Sequence, residues 1–289
     1  MQRLYVPATI ANLGSGFDVF GVALEIYLEI EFKINNKNIF IYEGEGNISN
    51  NTDNIVHQAV RAAFAAAGED PPALEIRAYN PIPLARGMGS SAAARVAGVM
   101  IADRLLDGGL GTERVFQIAA KLEGHPDNVA PAVFGGVQLS LPQTLIRVDL
   151  VYPEDLLFIV AVPSFELPTE AARKVLPDKI ARSDAIFNLA RAALWPVALA
   201  TGDLGLMREA AGDRIHQPYR LELMPGGRSA LEAAEALGAP AFVSGAGPAI
   251  AAICRGDPTP IINIFSNYIG DSGQIYTLSI GKGAKWKAT

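Results

Sequence analysis

The 289-residue chain has one cysteine, Cys254, so it can form no internal disulfide and no multi-cysteine metal site. Its apolar setting, AAIC, suits a core filler better than a nucleophile. The chain has no apolar, uncharged run of about 18 residues and no signal-like stretch after MQRLYVPAT. A soluble, cytoplasmic protein with no membrane partner is therefore expected. Basic residues are the minority, 24 Lys and Arg against 30 Asp and Glu, for a formal charge of −6. That argues against a general nucleic-acid surface and leaves room for a small anion pocket. Also missing are a Walker A loop, a GxGxxG fingerprint, a nucleophile elbow and an HExxH zinc motif. Half the residues are apolar, enough for one large or two ordinary domains.

What is present gathers in glycine-rich turns. In PLARGMGSSAAA, Pro83 to Ala94, Gly87 and Gly89 bracket Met88, and Ser90 and Ser91 open an alanine-rich helix. Glycines let backbone N–H groups approach a ligand, and a helix starting there turns its free N–H groups and positive dipole end toward an anion. A turn with a serine helix cap is the plainer alternative. In ANLGSGFDVFG, Asn12 and Asp18 flank a turn and either face one cleft or satisfy the turn backbone. In LEGHPDNVAP, Glu123, His125, Asp127 and Asn128 sit at a helix end, suited to a polar substrate, with a carboxylate for Mg²⁺ or with Asp127 or Asn128 as an N-cap.

Periodicity predicts strands over residues 3–10, ALEIYLEIEFKI and KNIFIYEGEG, the last two paired across Asn35-Asn36. A helix from Asn54 to Gly68 leaves His57 exposed, a strand spans 73–79, and the helix after Ser91 leaves Arg95, Asp103 and Arg104 to water. Pro153, Glu154 and Asp155 mark a boundary between 1–153 and 154–289. Beyond it come the apolar strand LLFIVAV and a long helix that Pro196 interrupts or kinks. A helix, the hairpin around SGAGP, a helix, a strand and the basic tail GKGAKWKAT follow. Arg173 and Arg220 stand beside polar turns, where each alone reads as a surface arginine.

Together these motifs resemble the GHMP small-molecule kinases over about residues 3–250, most closely their homoserine kinase branch. PLARGMGSSAAA is similar to their central phosphate motif, with Met88 where Leu is usual, and VPATIANLGSGFD and SGAGP to their N- and C-terminal motifs. EGHPDNVAP and HQPYR match the homoserine branch, with Ser15 for the usual Pro and Gln217 for Glu, which removes a charge near the expected pocket. The resemblance implies a two-domain α/β (α+β) fold. An ATP-binding domain like ribosomal protein S5 domain 2 would precede a ferredoxin-like one, with ATP and substrate in the cleft between them. Arg86, Gly87, Met88, Gly89, Ser90 and Ser91 would wrap the ATP phosphates, with Asn54 near the adenine. Ser91 and Glu123 would hold Mg²⁺, and Asn12, Asp18, His125, Asn128, Arg173 and Arg220 an amino-acid substrate. Asn128, Arg173 and Arg220 would also serve the chemistry. Asn128 stands where base-using relatives carry Asp, and an amide takes no proton at neutral pH, so positioning should dominate catalysis. The implied activity is ATP-dependent phosphorylation of the L-homoserine side-chain hydroxyl, on the way to threonine, by a homodimer. Another kinase of the family acting on mevalonate or a sugar, and a non-catalytic ATP- or metabolite-binding regulator, are the alternatives.

Overall fold

A computed structural model describes residues 1–46, 48 and 53–287. The first ten elements are β1 (Gln2–Ala11), β2 (Phe20–Ile34), β3 (Ile39–Gly44), α1 (Ile55–Ala67), β4 (Leu74–Asn80), α2 (Ser90–Leu105), α3 (Thr112–Glu123), α4 (Val129–Phe134), β5 (Val137–Ser140) and β6 (Arg147–Leu150). There follow β7 (Leu157–Val162), α5 (Thr169–Lys174), α6 (Arg182–Thr201), α7 (Leu204–Ala211), α8 (Gln217–Arg220), α9 (Gly227–Ala236), β8 (Ala241–Val243), β9 (Ile250–Cys254), α10 (Thr259–Ile269), β10 (Gln274–Ser279) and β11 (Lys285–Trp286). Among the described residues no helix is long and apolar enough to cross a membrane.

Two sheets carry the chain. The larger has the order β11-β1-β2-β4-β3, with β5 joined to β2 and β6 to β5. The fifteen-residue β2 runs along β1 on one edge and serves two partners on the other, β5 through Phe20–Val22 and β4 through Glu29–Ile34. The smaller sheet, β10-β7-β9-β8, is antiparallel throughout. Helices α1 to α4 cover the larger sheet, burying alanine-rich faces on Leu4, Val6, Ile30 and Ile76. Helices α9 and α10 lie with β7, β8 and β9 around Ile159, Val243, Ile250 and Phe265. The glycine-containing turns after β1, β4 and β8 and the end of α3 thereby meet at one cleft.

Several sequence expectations change. β3 does not pair with β2; it lies parallel to β4, because β4 already occupies that edge of β2 and α1 forms the crossover that parallel pairing requires. His57 is buried, its ring edge-on to Phe40 at 5.9 Å, because β3 closes over α1. Arg95 is not left to water but pairs with Glu123. Helix α6 continues through Pro196. A mid-helix proline costs about 3 kcal/mol, and the burial of Trp195 and Leu199, with Trp195 Nε1 donating to the Leu13 carbonyl, offsets it. Part of the basic tail is ordered: β11 returns to β1, and residues 288–289 lie outside the described residues. The second sheet begins four residues past the predicted boundary at 153, while the last strand belongs to the first sheet.

Helices α1 and α2 pack closely because Gly98 lacks a side chain. A Cβ there would lie 2.3 Å from the Val56 carbonyl oxygen and 2.6 Å from the Ala59 Cβ. Glycine to alanine inside a helix ordinarily stabilises by about 1 kcal/mol, whereas overpacking a core costs about 1–3 kcal/mol. The Val56 backbone cannot swing aside, so the clash should win. Gly98→Ala is expected to lower the thermal unfolding midpoint; an unchanged or raised midpoint would show that the helices separate at no cost.

Candidate active site

The loop from β4 to α2 is shaped by two left-handed glycines, Gly87 at φ +81° and Gly89 at φ +68°. A Cβ on Gly89 would strike the Thr9 hydroxyl at 2.0 Å, and one on Gly87 the Ser244 carbonyl at 2.2 Å. Gly89 stands at the N-cap of α2 with no side-chain cap, so the first N–H groups of a sixteen-residue helix open into the cleft. A serine-capped turn is therefore not what forms here, and the geometry suits an anion. Met88 buries its side chain in the core, while its carbonyl accepts from Thr9 N. Arg86 turns away, donating to the carbonyls of Leu84 and Ser164.

Across the cleft, the end of α3 supplies Glu123. Its Oε2 accepts from Ser91 Oγ at 3.0 Å and from Arg95 Nε. One carboxylate and one hydroxyl are few ligands for a protein cage, and no cluster of three or more His, Cys, Asp or Glu occurs among the described residues. They do suit Mg²⁺, which takes one or two carboxylates and completes its shell from phosphates and water. Asp127, only 2% exposed, accepts from His125 Nδ1 and from Asn128 N. Burial lowers the His125 pKa, but the hydrogen bond and charge of Asp127, with the charge of Glu123, outweigh it and leave it raised. His125 is thus set up to donate to Asp127. Asn128 makes no side-chain cap to α4; its Oδ1 accepts from Thr9 Oγ1 at 2.9 Å.

The turn after β1 holds Asn12, Leu13 and Asp18 at positive φ. Asn12 fixes it from inside: Oδ1 accepts from Asp18 N at 3.0 Å, and Nδ2 donates to the Gly245 carbonyl at 2.8 Å. Asp18 forms a bidentate pair with Arg173 at 2.7 and 3.1 Å, which raises the Arg173 pKa. Arg220 is 1% exposed and has no carboxylate in contact among the described residues. Its Nε donates to the Ala172 carbonyl, and its Nη1 to the Gly245 carbonyl and to His216 Nδ1. Of the five donors on a guanidinium, those on Nη2 have no such partner among the described residues. Burial and the nearby Arg173 push its pKa down to about 10, leaving it charged at neutral pH. Phe17 lies against both guanidiniums, 5.6 Å from Arg173 and 5.1 Å from Arg220.

These residues line one cleft: every candidate named from the sequence contributes atoms to its wall except Asn54. Asn54 caps α1, accepting from His57 N, and lines an adjoining apolar cavity of about 360 Å³ walled by Phe40, Tyr42, Val56 and Leu84. Ser90, Ser91, Ala85 and Thr169 belong to both spaces, so a polar ligand with an apolar, flat end can run from one into the other.

The GHMP kinases N terminal domain model matches residues 54–136, and the GHMP kinases C terminal model residues 197–269. A homoserine kinase of Thermus thermophilus is 54% identical over 100% of this chain and 99% of its own. The chain belongs to the GHMP kinase family, in its homoserine kinase subfamily. A homoserine kinase of Moorella thermoacetica is 45% identical over 89% of this chain and 88% of its own. The crystal structure of homoserine kinase from Cytophaga hutchinsonii superposes with TM-score 0.88 at 27% identity, covering 99% of this chain and 97% of that one. This is a two-domain GHMP kinase fold.

In this GHMP kinase three participants, Thr9, Arg95 and His216, escaped the sequence reading, and Asp127 gained its partners only in the fold. Thr9 and Asp127 lay inside quoted motifs but reach the site only through packing. Arg95 follows Ser91 by four residues, one helical turn on the same face, a signal that was available. His216 precedes Gln217 and is wholly buried; Nε2 donates to the Gly14 carbonyl at 2.8 Å, so Nδ1 is free to accept from Arg220. Gln217 lies outside the cleft: its Oε1 accepts from Val243 N and its Nε2 donates to the Ala211 carbonyl, joining α8 to β8. A glutamate would lack that donor, so the amide has a structural use here.

Burial, with the charge of Arg220, drives the His216 pKa from 6.5 down to about 4, although Asp213 opposes the shift. Because the folded value lies below the unfolded one, the neutral ring stabilises the fold fully above pH 6.5, and this is lost as pH falls toward 4. The amount is on the order of 3 kcal/mol. Protonation also removes the acceptor that holds Arg220. Between pH 7 and pH 4.5, thermal unfolding midpoints should fall more in the native protein than in His216→Gln; equal slopes would remove His216 as a cause.

Proposed function

We propose that this enzyme transfers the γ-phosphoryl group of ATP to the side-chain hydroxyl of L-homoserine, giving O-phospho-L-homoserine and ADP. The observation that carries the reading is the charge pattern beside the phosphate loop. Asp18, Arg173 and Arg220 offer one anion and two cations in a half-dry cleft. A zwitterionic amino acid matches that set, since its ammonium can face Asp18 and its carboxylate the free edge of Arg220. Mevalonate carries no ammonium and a sugar no charge, so either would leave Asp18 without a ligand partner. The names of the most similar relatives support the same substrate. The product would be an intermediate of threonine biosynthesis, made in the cytoplasm.

The nucleotide would lie with its adenine in the apolar cavity near Asn54 and its phosphates over Gly87–Ser91. Ser91 and Glu123 are the groups that would hold Mg²⁺, and Mg²⁺ bound there would supply neutralisation of phosphate charge. Arg95 keeps Glu123 neutralised otherwise. In the transfer the homoserine oxygen attacks the γ-phosphorus while the bond to the β,γ-bridging oxygen breaks. The loose transition state needs little nucleophilic push, so no strong base is required. Asn128, held by Thr9, orients the hydroxyl, whose proton leaves to a phosphate oxygen or water. His125 and the α2 N-terminus donate toward the growing negative charge. An ammonium arriving at Asp18 competes with Arg173, so substrate binding would release that guanidinium toward the phosphates.

ADP release measured with homoserine, mevalonate, galactose and no acceptor should respond to homoserine alone. Turnover on mevalonate or galactose instead points to another branch, and ATP binding without any turnover points to a silent regulator. In Asp18→Asn the homoserine KM should rise at least about 10-fold, the loss of one charged hydrogen bond, with ATP affinity unchanged. An unaltered KM makes Asp18 a turn former only. Glu123→Gln should lower kcat about 30-fold or more and raise the Mg²⁺ requirement, from a loss of roughly 2–5 kcal/mol. Unchanged rate and metal dependence would confine Glu123 to closing α3.

A further inference from the structure

Asn80 ends β4 and is only 4% exposed, a buried amide whose polar atoms all need partners. Its Oδ1 accepts from Ile82 N at 3.1 Å. That bond fixes which way the amide lies, because a flipped amide would set two donors against each other. Nδ2 is therefore the atom facing Ser90 Oγ at 3.0 Å and the Tyr42 hydroxyl oxygen at 3.4 Å. Tyr42 gives its own proton to the Glu45 carbonyl at 2.9 Å, so its oxygen is an acceptor for Asn80. The backbone is held as firmly. Asn80 lies opposite Gly44 on β3, and a Cβ on that glycine would come 2.5 Å from the Asn80 carbonyl oxygen.

Ser90 and Ser91 are consecutive, yet their hydroxyls are committed in opposite senses. Ser91 Oγ stands 3.0 Å from Glu123 Oε2. An ionised carboxylate only accepts, so Ser91 donates there and keeps its lone pairs for a cation. Ser90 Oγ instead accepts from Asn80, and among the described residues its own proton has no acceptor. A hydroxyl that accepts on one side turns its proton away from that donor. Ser90 opens α2 and belongs to the walls of both the cleft and the apolar cavity. We propose that Asn80 is a positioning residue that turns the Ser90 proton onto the phosphates of the bound nucleotide. The two serines then divide the work: the first meets the anion and the second the metal. The inference rests on the cleft being a nucleotide site and is independent of which acceptor is phosphorylated.

Asn80→Asp keeps the side-chain shape and the acceptor for Ile82 N. It replaces two donors by a second acceptor, so the Ser90 proton would turn back toward residue 80. It also adds a negative charge, which a cycle of four proteins separates out: native, Asn80→Asp, Ser90→Ala and the double variant. Calorimetric ATP dissociation constants are the readout. Ser90→Ala should weaken ATP about 10-fold, the loss of one hydrogen bond to a charged group. Asn80→Asp should cost about 10-fold more affinity with Ser90 present than in the Ser90→Ala background, since repulsion acts in both and the hydroxyl in only one. Adenosine, which has no phosphate, should bind all four proteins alike. Equal effects of Asn80→Asp in the two backgrounds would overturn the inference while leaving the nucleotide site in place. So would adenosine weakened as much as ATP, which would put Asn80 to work in the base cavity. A native protein that binds no ATP would overturn the inference and the nucleotide site together.

Discussion

The carbonyl oxygen of Gly245 accepts from two side chains brought from distant parts of the chain, Asn12 Nδ2 and Arg220 Nη1, each at 2.8 Å. Asn12 in turn sets the backbone of Asp18, and Arg220 is placed with the help of His216 and the Ala172 carbonyl. The same hairpin carries Ser244, whose hydroxyl donates to the Gly87 carbonyl, and Ala249, whose N–H reaches the Arg86 carbonyl. The turn between β8 and β9 therefore holds both the phosphate loop and the charged end of the cleft. A hydrogen bond from a charged donor contributes about 1.5–3 kcal/mol and a neutral one about half that, so losing the carbonyl's position would be felt at both ends together.

The electrostatics of the cleft follow one pattern. Each carboxylate already has a resident partner: Asp18 has Arg173, Glu123 has Arg95 and Asp127 has the His125 ring. Among the described residues Arg220 makes no carboxylate contact: its hydrogen bonds go to carbonyls and a ring nitrogen, and Asp18, Asp127 and Asp213 act on it only from a distance. Buried charge without a counter-ion is costly, and the cost falls when an anion arrives. The paired carboxylates can exchange their partners for a ligand ammonium or a metal without leaving any charge bare. The cleft thus favours an anion first and a cation only by replacement.

Much of this was legible in the sequence because the turns are written in residues with narrow conformational uses. Gly87 and Gly89 marked the tight left-handed loop before α2, and the EGHPDN run marked the end of α3, through glycine and polar spacing alone. Helix ends at Gly68 and Gly124 were equally plain. What stayed hidden depended on contacts between distant segments. Nothing local assigns β3 to β4 rather than β2, since either strand presents an alternating face. His57 reads as exposed on its own helix and is covered only by β3. Arg220 looks like a surface arginine until the basket of carbonyls around it is assembled. The Pro196 interruption failed because tertiary burial of Trp195 overrode a local preference.

The hydroxyl of Ser244 and the carbonyl it grips on Gly87 are 157 residues apart. During synthesis at about 5–20 residues per second, the phosphate loop would leave the ribosome roughly 8–30 seconds before its clamp exists. The larger sheet can collapse around α1 and α2 in that interval, with Thr9 N already reaching the Met88 carbonyl, yet the Gly87 carbonyl lacks its Ser244 donor until the β8–β9 hairpin arrives. A nascent or truncated chain ending before residue 244 would lack this clamp, so the loop before α2 takes its final shape only when the second sheet is made.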